Sequence, residues 1–317
     1  MNITSQKPRI IFFSSSDFGL PTLRLLVERG FVPILCITKP NRLIGRQQKE
    51  VENIIAQEAF KLSIPVIKPK TLRDQATLDH ISQLKPNLGI LVSYGKVLPD
   101  ELLHIPTHGI LNIHPSLLPL YRGPSPIQTA ILNGDTKTGT TIMLLDQQID
   151  HGPIVCQEEY SIKPNETSSE LFTRLGNQGA ELLVNCLMDF ISGALIPKEQ
   201  DHSKATFTKI ILAEDGHLDS SFTTQEAWNR FRALRDEPGC FIRIINLKNL
   251  HIKILECRPD FAMHNLAPGT LYSQGKKLFF SFSDGALQLI SLQKAGGKVI
   301  SANDFINGNQ NSITTLP

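Results

Sequence analysis

The sequence predicts an α/β chain in two parts: an open, mainly parallel sheet with helices on both faces, then a smaller β-barrel. Three observations predict it. In the first part, short apolar runs such as RIIFFSS and VPILCIT alternate with segments of helical spacing, the pattern of βα units and a parallel sheet. After Gly239 only short β-rich runs remain (FIRIINL, HIKILEC, GTLYS, KLFFSFS, ALQLISL), separated by turn residues at near-regular spacing. Asn112, His114, Asp146 and Asp150 fall beyond the ends of predicted strands, where an open α/β sheet gathers its functional groups. The expected division is a Rossmann-like domain over residues 1–196, a polar linker over 197–208 and an OB-like barrel over 209–317.

Taken in order, Arg9 to Ser15 is the first buried strand, and Phe18 to Arg29 the helix after it, closed by Gly30. The turn between them, SSSDFG, has no GxGxxG, so no dinucleotide site is expected. Val32 to Thr38 is the second strand. KPNRLIGRQQK follows, by composition a solvated basic loop carrying Lys39, Arg42, Arg46 and Lys49, and KEVENIIAQEAFKL then runs directly into a helical pattern. Leu72 to Leu84 is a helix capped by Thr71. Leu88 to Ser93 is a strand that exits through Tyr94-Gly95-Lys96-Val97-Leu98-Pro99, with Lys96 read as a surface lysine.

GILNI, from Gly109, is a strand that points Asn112 and His114 to one side, and Pro115 ends it. The loop SLLPLYRG has Pro119 and Gly123 as breakers. A helix runs from Pro126 to Asn133 with Ser125 as N-cap and Gly134 just past its end. GTTIMLL is the strand that leads to Asp146 and Asp150, and Ile154 to Tyr160 is an edge strand. Thr167 and Glu170 form a capping box for a helix reaching about Ile191, its middle weakened by Gly176 and Gly179. In the second part Thr223 and Glu226 cap a helix through AWNRFRAL, with Trp228 and Phe231 read as core.

The 317 residues suffice for two domains, and 41% hydrophobic with 20% charged residues is ordinary for a globular protein. A net charge of +2 gives no global basic field for nucleic acid. The five cysteines are scattered without a CxxC, which supports neither a zinc site nor a redox dithiol and fits a reducing compartment. No apolar signal region or membrane-length run is seen, so a cytoplasmic protein is expected.

Chemically, an imidazole that takes or gives a proton, a carboxylate that orients it and an amide N–H that stabilises an oxyanion make a set suited to carbonyl chemistry. No Ser or Cys sits in a nucleophile context such as GxSxG, so the set suggests direct attack by a substrate nucleophile on a carbonyl. Against this stands the plainer reading that Asn112 and His114 only satisfy turn backbone, as polar residues at strand ends commonly do.

NIHPSLLPLYRG, followed by the Asp of DHGP, resembles the folate-dependent formyltransferases. The resemblance implies a catalytic set of Asn112, His114 and Asp150, with Asp146 as the rival. Asp150 is chosen because it directly precedes the Gly-containing turn. It also implies 10-formyltetrahydrofolate as co-substrate, held by backbone at Tyr94, Gly95, Lys96, Val97 and Leu98 and by Ser116, Leu117, Leu118 and Pro119, with no metal.

Within that family, TKPNRLIGR and the C-terminal PGT, SDGALQLISLQ and ISANDFING resemble the members acting on methionyl-tRNA. This implies formylation of the α-amine of initiator methionyl-tRNA for translation initiation, by a cytoplasmic monomer with no membrane partner. Arg42 would enter the tRNA acceptor end, and Arg243, Lys248 and Lys253 are candidate phosphate contacts. The sequence departs from the pattern at Ser14 and Ser16, in a shortened loop after Arg42, in the turn Asp236-Glu237-Pro238-Gly239, and at His151, where a small residue is usual. Two alternatives are a formyltransferase for a small amine (an amino sugar or a glycinamide ribonucleotide) and a catalytically idle RNA-binding protein. The C-terminal barrel speaks against the glycinamide form, and the intact catalytic set against the idle one.

Overall fold

Strands buried on both faces read as near-continuous apolar runs. In a computed structural model of the chain, which describes residues 7–44, 49–244, 250–262, 266–294, 296–309 and 313–316, such runs build the first sheet. In chain order the elements are β1 (Ile10–Ser14), α1 (Leu20–Glu28), β2 (Leu35–Ile37), β3 (Arg42–Ile44), β4 (Lys49–Val51), α2 (Ile54–Lys61), β5 (Val66–Ile67), α3 (Gln75–Gln83), β6 (Leu88–Val92), α4 (Asp100–Leu103), β7 (Ile110–His114), α5 (Pro126–Leu132), β8 (Lys137–Leu144), β9 (Ile154–Ser161) and α6 (Ser168–Ser192). The sheet order is β5-β2-β1-β6-β7-β8-β9. The first five of these pair in parallel, and β8 and β9 add antiparallel, leaving β9 at the edge. The chain builds outward from β1 to β5, then returns past β1 to β6. The strand order therefore reverses between β1 and β6, and a crevice forms beyond their carboxyl ends.

One side of this sheet carries Ile11, Phe13, Leu35, Ile37 and Ile110 against Leu78 and Ile81 of α3 and Leu102 and Leu103 of α4. Neighbouring β7 side chains alternate across the sheet. Ile113 thus faces the other way, where it meets Gly179 of α6. The two glycines that weaken α6 by propensity are where the helix approaches its neighbours. A Cβ on Gly176 would lie 3.3 Å from the Phe18 ring, and one on Gly179 would lie 2.8 Å from Ile113 and 3.1 Å from Thr140. The capping box at the start of α6 is formed: Thr167 donates from its backbone N–H and its hydroxyl to Glu170, which holds that carboxyl below the usual carboxylate range.

Three expectations are corrected. The stretch after Lys39 is not an open loop, because β3 and β4 pair antiparallel with Arg42 opposite Val51 and Ile44 opposite Lys49. Three-residue strands this rich in charge carry too little alternation to be read from sequence. Arg46 lies outside the described residues. The helical pattern after β4 starts only at Ile54, where the Asn53 side chain accepts the Ile55 N–H at 2.9 Å. The next helix, α3, is capped by Asp74, which accepts the Thr77 N–H at 3.2 Å, while Thr71 closes a local turn by accepting the Arg73 N–H. An Asp three residues further on outcompetes the Thr as N-cap.

The chain divides into two compact units, one of residues 1–126, 137–161 and 171–208, the other of 127–136, 162–170 and 209–317. Residues 197–208 therefore belong to the first unit and are no loose tether. Lys198 and Ile154 exchange backbone hydrogen bonds of 2.7 and 2.8 Å, and Arg122 pairs with Phe207. The second unit contains α7 (Thr224–Leu234), β10 (Cys240–Ile244), β11 (Leu250–Asp260), β12 (Leu271–Gln274), β13 (Lys277–Ser281), β14 (Ala286–Lys294), β15 (Val299–Ser301), α8 (Ala302–Asn307) and β16 (Thr314–Leu316). Its curled sheet runs β10-β11-β14-β13-β12-β16, with β15 also on β14. Irregularities in β11 between Ile254 and Cys257 bend the strand. Phe231 is buried there with Trp228 stacked on it, as expected of core.

Gly179→Ala tests whether propensity or packing governs α6. Alanine gains about 1 kcal/mol of helix propensity. Overpacking against Ile113 and Thr140, two stiff β-branched side chains, costs about 1–3 kcal/mol. The variant is expected to melt below wild type in a thermal scan.

Candidate active site

The site grows from the end of β7. Asn112 and His114 are both buried and point to the same side of the sheet, as their spacing of two requires. The loop after β8 returns Asp150 to them. Its Oδ1 lies 3.5 Å from Asn112 Nδ2 and 3.5 Å from His114 Nδ1, while its Oδ2 accepts the Gly123 N–H at 2.7 Å. His114 Nε2 lies 2.9 Å from the Tyr121 carbonyl oxygen. A carbonyl can only accept, so Nε2 carries the proton of that bond, and Nδ1 is the ring atom that faces Asp150.

Asp146 is elsewhere. Its Oδ2 lies 2.6 Å from His151 Nδ1 and its Oδ1 accepts the Gln148 N–H at 2.9 Å. The structure thus brings Asp150 to His114 and gives Asp146 to His151. Gly152 closes the turn where no side chain fits, since a Cβ there would lie 2.0 Å from the Leu144 carbonyl oxygen.

Around this centre lie the segments named for folate. Tyr94 is fully buried in the core, edge-on to Phe13 at 5.9 Å, and burial pushes its hydroxyl up to about 12. Its carbonyl accepts from Ser15 Oγ at 2.7 Å. Gly95 has φ +68°, a left-handed turn suited to glycine. Lys96 is not a free surface lysine: its ammonium donates to the Lys70 carbonyl at 2.8 Å. Val97 is 70% exposed, and Leu98 is buried.

In the second segment Ser116 is fully buried and donates to the Leu120 carbonyl at 2.6 Å. Thr141 Oγ1 donates to the Ser116 carbonyl and accepts the Leu118 N–H, and Gln157 donates to the Leu118 carbonyl. Leu117 lies over Gly139, where a Cβ would come within 2.3 Å of it, and Pro119 is half-buried. This loop is therefore a rigid wall, stitched to β8 and β9.

Two residues that sequence reasoning passed over complete the site. Gln200, in the stretch read as linker, donates from Nε2 to the carbonyls of Asp150 (3.0 Å) and Gly152 (2.7 Å). Arg122, directly before the breaker Gly123 of the loop and 3% exposed, donates to Gln200 Oε1 from Nε (3.2 Å) and Nη2 (2.7 Å). No periodicity marks either residue; only tertiary pairing brings 200 to 122.

Burial pushes the thiols of Cys36 and Cys240 up to about 12 and Cys257 well above its ordinary value, so none supplies a thiolate near neutrality. Among the described residues no cluster of His, Cys, Asp or Glu could hold a metal ion, and no helix is long and apolar enough to cross a membrane. Of the basic residues named for tRNA, Arg42 sits on β3 opposite Val51, Arg243 is paired with Glu214, and Lys248 lies outside the described residues. Lys253 lines a cavity of about 310 Å³ together with Phe241, His251 and Lys294.

The chain matches the family described as "Formyl transferase" over residues 9–187 and "Formyl transferase, C-terminal domain" over 210–310. It belongs to the formyl transferase family. Curated relatives named methionyl-tRNA formyltransferase include one from Roseiflexus castenholzii, 38% identical over 95% of this chain and 96% of that protein. Another, from Acidobacterium capsulatum, is 35% identical over 95% and 96%. Solved formyl transferase folds include an N-formyltransferase from Helicobacter canadensis in complex with folinic acid and dTDP-3-aminofucose (TM-score 0.68, 19% identity, 90% of this chain and 99% of that one). HypX from Aquifex aeolicus in complex with tetrahydrofolic acid also matches (TM-score 0.64, 15% identity, 98% of this chain and 49% of that one).

Tyr94→Phe tests whether this formyl transferase uses Tyr94 through its backbone alone. The hydroxyl is buried without a hydrogen-bond partner among the described residues, so its removal relieves a desolvation cost. The variant is expected to melt at or above the wild-type temperature and to bind tetrahydrofolate unchanged in a fluorescence titration.

Proposed function

We propose that this chain transfers the formyl group of 10-formyltetrahydrofolate to the α-amine of initiator methionyl-tRNA, the step that supplies formylmethionine for translation initiation. The observation that carries it is the convergence of Asn112, His114 and Asp150 in a chain that shares nearly its full length with methionyl-tRNA formyltransferases. Folate is the natural co-substrate: the family uses it, and related folds hold folinic acid or tetrahydrofolic acid. The turn at 94–98, exposed at Gly95 and Val97, and the wall at 116–119 frame the crevice for it.

The chemistry follows from the hydrogen bonds. The Tyr121 carbonyl fixes Nε2 of His114 as a donor, so Nδ1 is where the ring gains and loses a proton. The neutral amine attacks the formyl carbon, negative charge develops on the formyl oxygen, and the intermediate collapses by breaking the bond from that carbon to the folate N10, which leaves as tetrahydrofolate with the proton the amine gives up. Asn112 Nδ2 and the protonated Nδ1 of His114 are the donors for that oxyanion. Asp150 stabilises the imidazolium and helps remove the amine proton. Contacts of 3.5 Å are at the long limit of hydrogen bonding, and in resting sites such contacts often shorten only with substrate bound.

The proposed division of labour places folate and formyl transfer on residues 1–196, followed by the 197–208 segment. The tRNA contacts fall on 209–317, read as an OB-like barrel, and on Arg42 of the β3–β4 hairpin. The bent β11 supports the barrel reading, and the aromatic and basic lining of the cavity at Lys253 supports the tRNA reading. Asn112, His114 and Asp150 all come from one chain, so the reading requires no second subunit. All five cysteines are free thiols, which supports a cytoplasmic location.

Labelled 10-formyltetrahydrofolate incubated with charged tRNAs, amino sugars and glycinamide ribonucleotide decides the acceptor. Label on initiator methionyl-tRNA is expected; label on a small amine, or on nothing, overturns the proposal.

The two aspartates separate in single-turnover assays. Asp150→Asn is expected to lower the rate by about 10²–10⁴, the range for losing part of an acid–base set. Asp146→Asn, which only releases His151, is expected to cost less than about tenfold. The reverse order would transfer the role to Asp146.

A further inference from the structure

We propose that Arg122 and Gln200 are positioning residues for Asp150, forming a buried clamp that sets the carboxylate against His114 and Asn112. The inference rests on the formyl-transfer reading of Asp150. Its starting point is a buried cation without an anion. Arg122 is 3% exposed, yet among the described residues its guanidinium makes no salt bridge. Burying a charge is costly unless it is paired or fully hydrogen-bonded, so the hydrogen bonds of the guanidinium carry that compensation.

Those bonds go to one side-chain amide and one imidazole. Gln200, 5% exposed, accepts from Arg122 Nε and Nη2 on Oε1, and passes both donors of Nε2 to the carbonyls of Asp150 and Gly152. A cation on the oxygen side of an amide polarises it and strengthens its N–H donors. The second branch runs from Arg122 Nη2 to His202 Nδ1 at 2.8 Å. Arginine only donates, so Nδ1 of His202 accepts. The His202 ring stacks on His151 at 4.0 Å and 3°. One guanidinium thus holds the 150–152 turn by its backbone through Gln200 and touches its middle side chain through His202.

The clamp has something to hold. Asp150 sits at φ +49°, a left-handed conformation uncommon for a residue with a side chain. The direction of its carboxylate depends on that dihedral. Gly123, the residue after Arg122, takes Oδ2 with its N–H at 2.7 Å. Asp150 is therefore gripped at its backbone by Arg122 through Gln200 and at its side chain by Gly123. Arg122 itself is fixed in the chain by bonds to Thr206 and Thr208: its N–H donates to the Thr206 carbonyl at 2.9 Å, and its carbonyl accepts the Thr208 N–H at 2.7 Å.

Gln200→Glu separates positioning from mere structure. The carboxylate keeps an acceptor for Arg122 and gives it an ion pair, so the fold is retained, but it cannot donate to the Asp150 and Gly152 carbonyls. Gln200→Met, of similar length, removes both functions, and Arg122→Lys removes the guanidinium fork. In full-length enzyme with saturating methionyl-tRNA, each is expected to lower single-turnover kcat about 10- to 100-fold, the cost of misplacing a reacting group by about 1 Å. KM for both substrates and the tetrahydrofolate dissociation constant are expected to stay within about threefold of wild type.

In the Asp150→Asn background, Gln200→Glu is expected to cost nothing further, because the two act as one unit. Wild-type turnover in folded Gln200→Glu, or the same fold-loss in the Asp150→Asn background, overturns the inference. Should Gln200→Glu melt far below wild type, Gln200→Met and Arg122→Lys carry the same kcat-against-KM readout. If Asp150→Asn itself keeps full turnover, the catalytic reading fails. If Asp150→Asn loses turnover and the Gln200 variants do not, only the clamp fails.

Discussion

The site depends on one strap of three residues, Tyr121-Arg122-Gly123. The Tyr121 carbonyl accepts the Nε2–H of His114, Arg122 reaches the Asp150 carbonyl through Gln200, and the Gly123 N–H holds the Asp150 carboxylate. Each contact uses a different group, and together they fix the tautomer of the imidazole and the direction of the acid. The strap is in turn held by residues 206–208, through bonds of Tyr121 N to Thr206 Oγ1 and of Thr208 N to the Arg122 carbonyl. A shift of this strap would move His114 and Asp150 together.

Such an arrangement stores strain. Tyr121 and Asp150 both adopt positive φ, at +60° and +49°. Conformations of this kind cost about 1–3 kcal/mol each and persist only where surrounding bonds over-determine them. Here the surroundings are the hydrogen bonds of the strap and of Gln200. The rest of the fold supplies a rigid frame: parallel strands end at one edge, and the loops beyond β6 and β7 lie next to each other because β6 and β7 are paired. The wall at 116–119 is made firm by Thr141 and Gln157, so the crevice has little freedom to collapse.

His151 gives this chain a local character of its own. Its ring is shared between Asp146 on one side and His202 on the other. An aspartate four residues before Asp150 is thereby occupied, which keeps a second carboxylate away from the imidazole of His114. The pairing with His151 keeps the two carboxylates apart, one beside each imidazole.

The sequence by itself determined the alternation of strands and helices in the first part, the succession of short strands after Gly239 and the shared face of Asn112 and His114. Those signals are local: an apolar run of the right length, a capping box at Thr167 and Glu170, a spacing of two between Asn112 and His114. The choice of Asp150 over Asp146 came from family resemblance, since a carboxylate's direction is set by a loop dihedral that no periodicity encodes. Only the tertiary structure decided that α6 needs small residues where it crosses Ile113, that Tyr94 is a core ring, and that β3 and β4 pair. It alone showed that the polar stretch around Gln200 is built into the first unit. Composition marks such a stretch as a linker because its residues are polar. Gln200 is buried nonetheless, because every polar atom of its side chain finds a partner in Arg122 or in the turn at Asp150, and those partners lie 78 and 50 residues away in sequence.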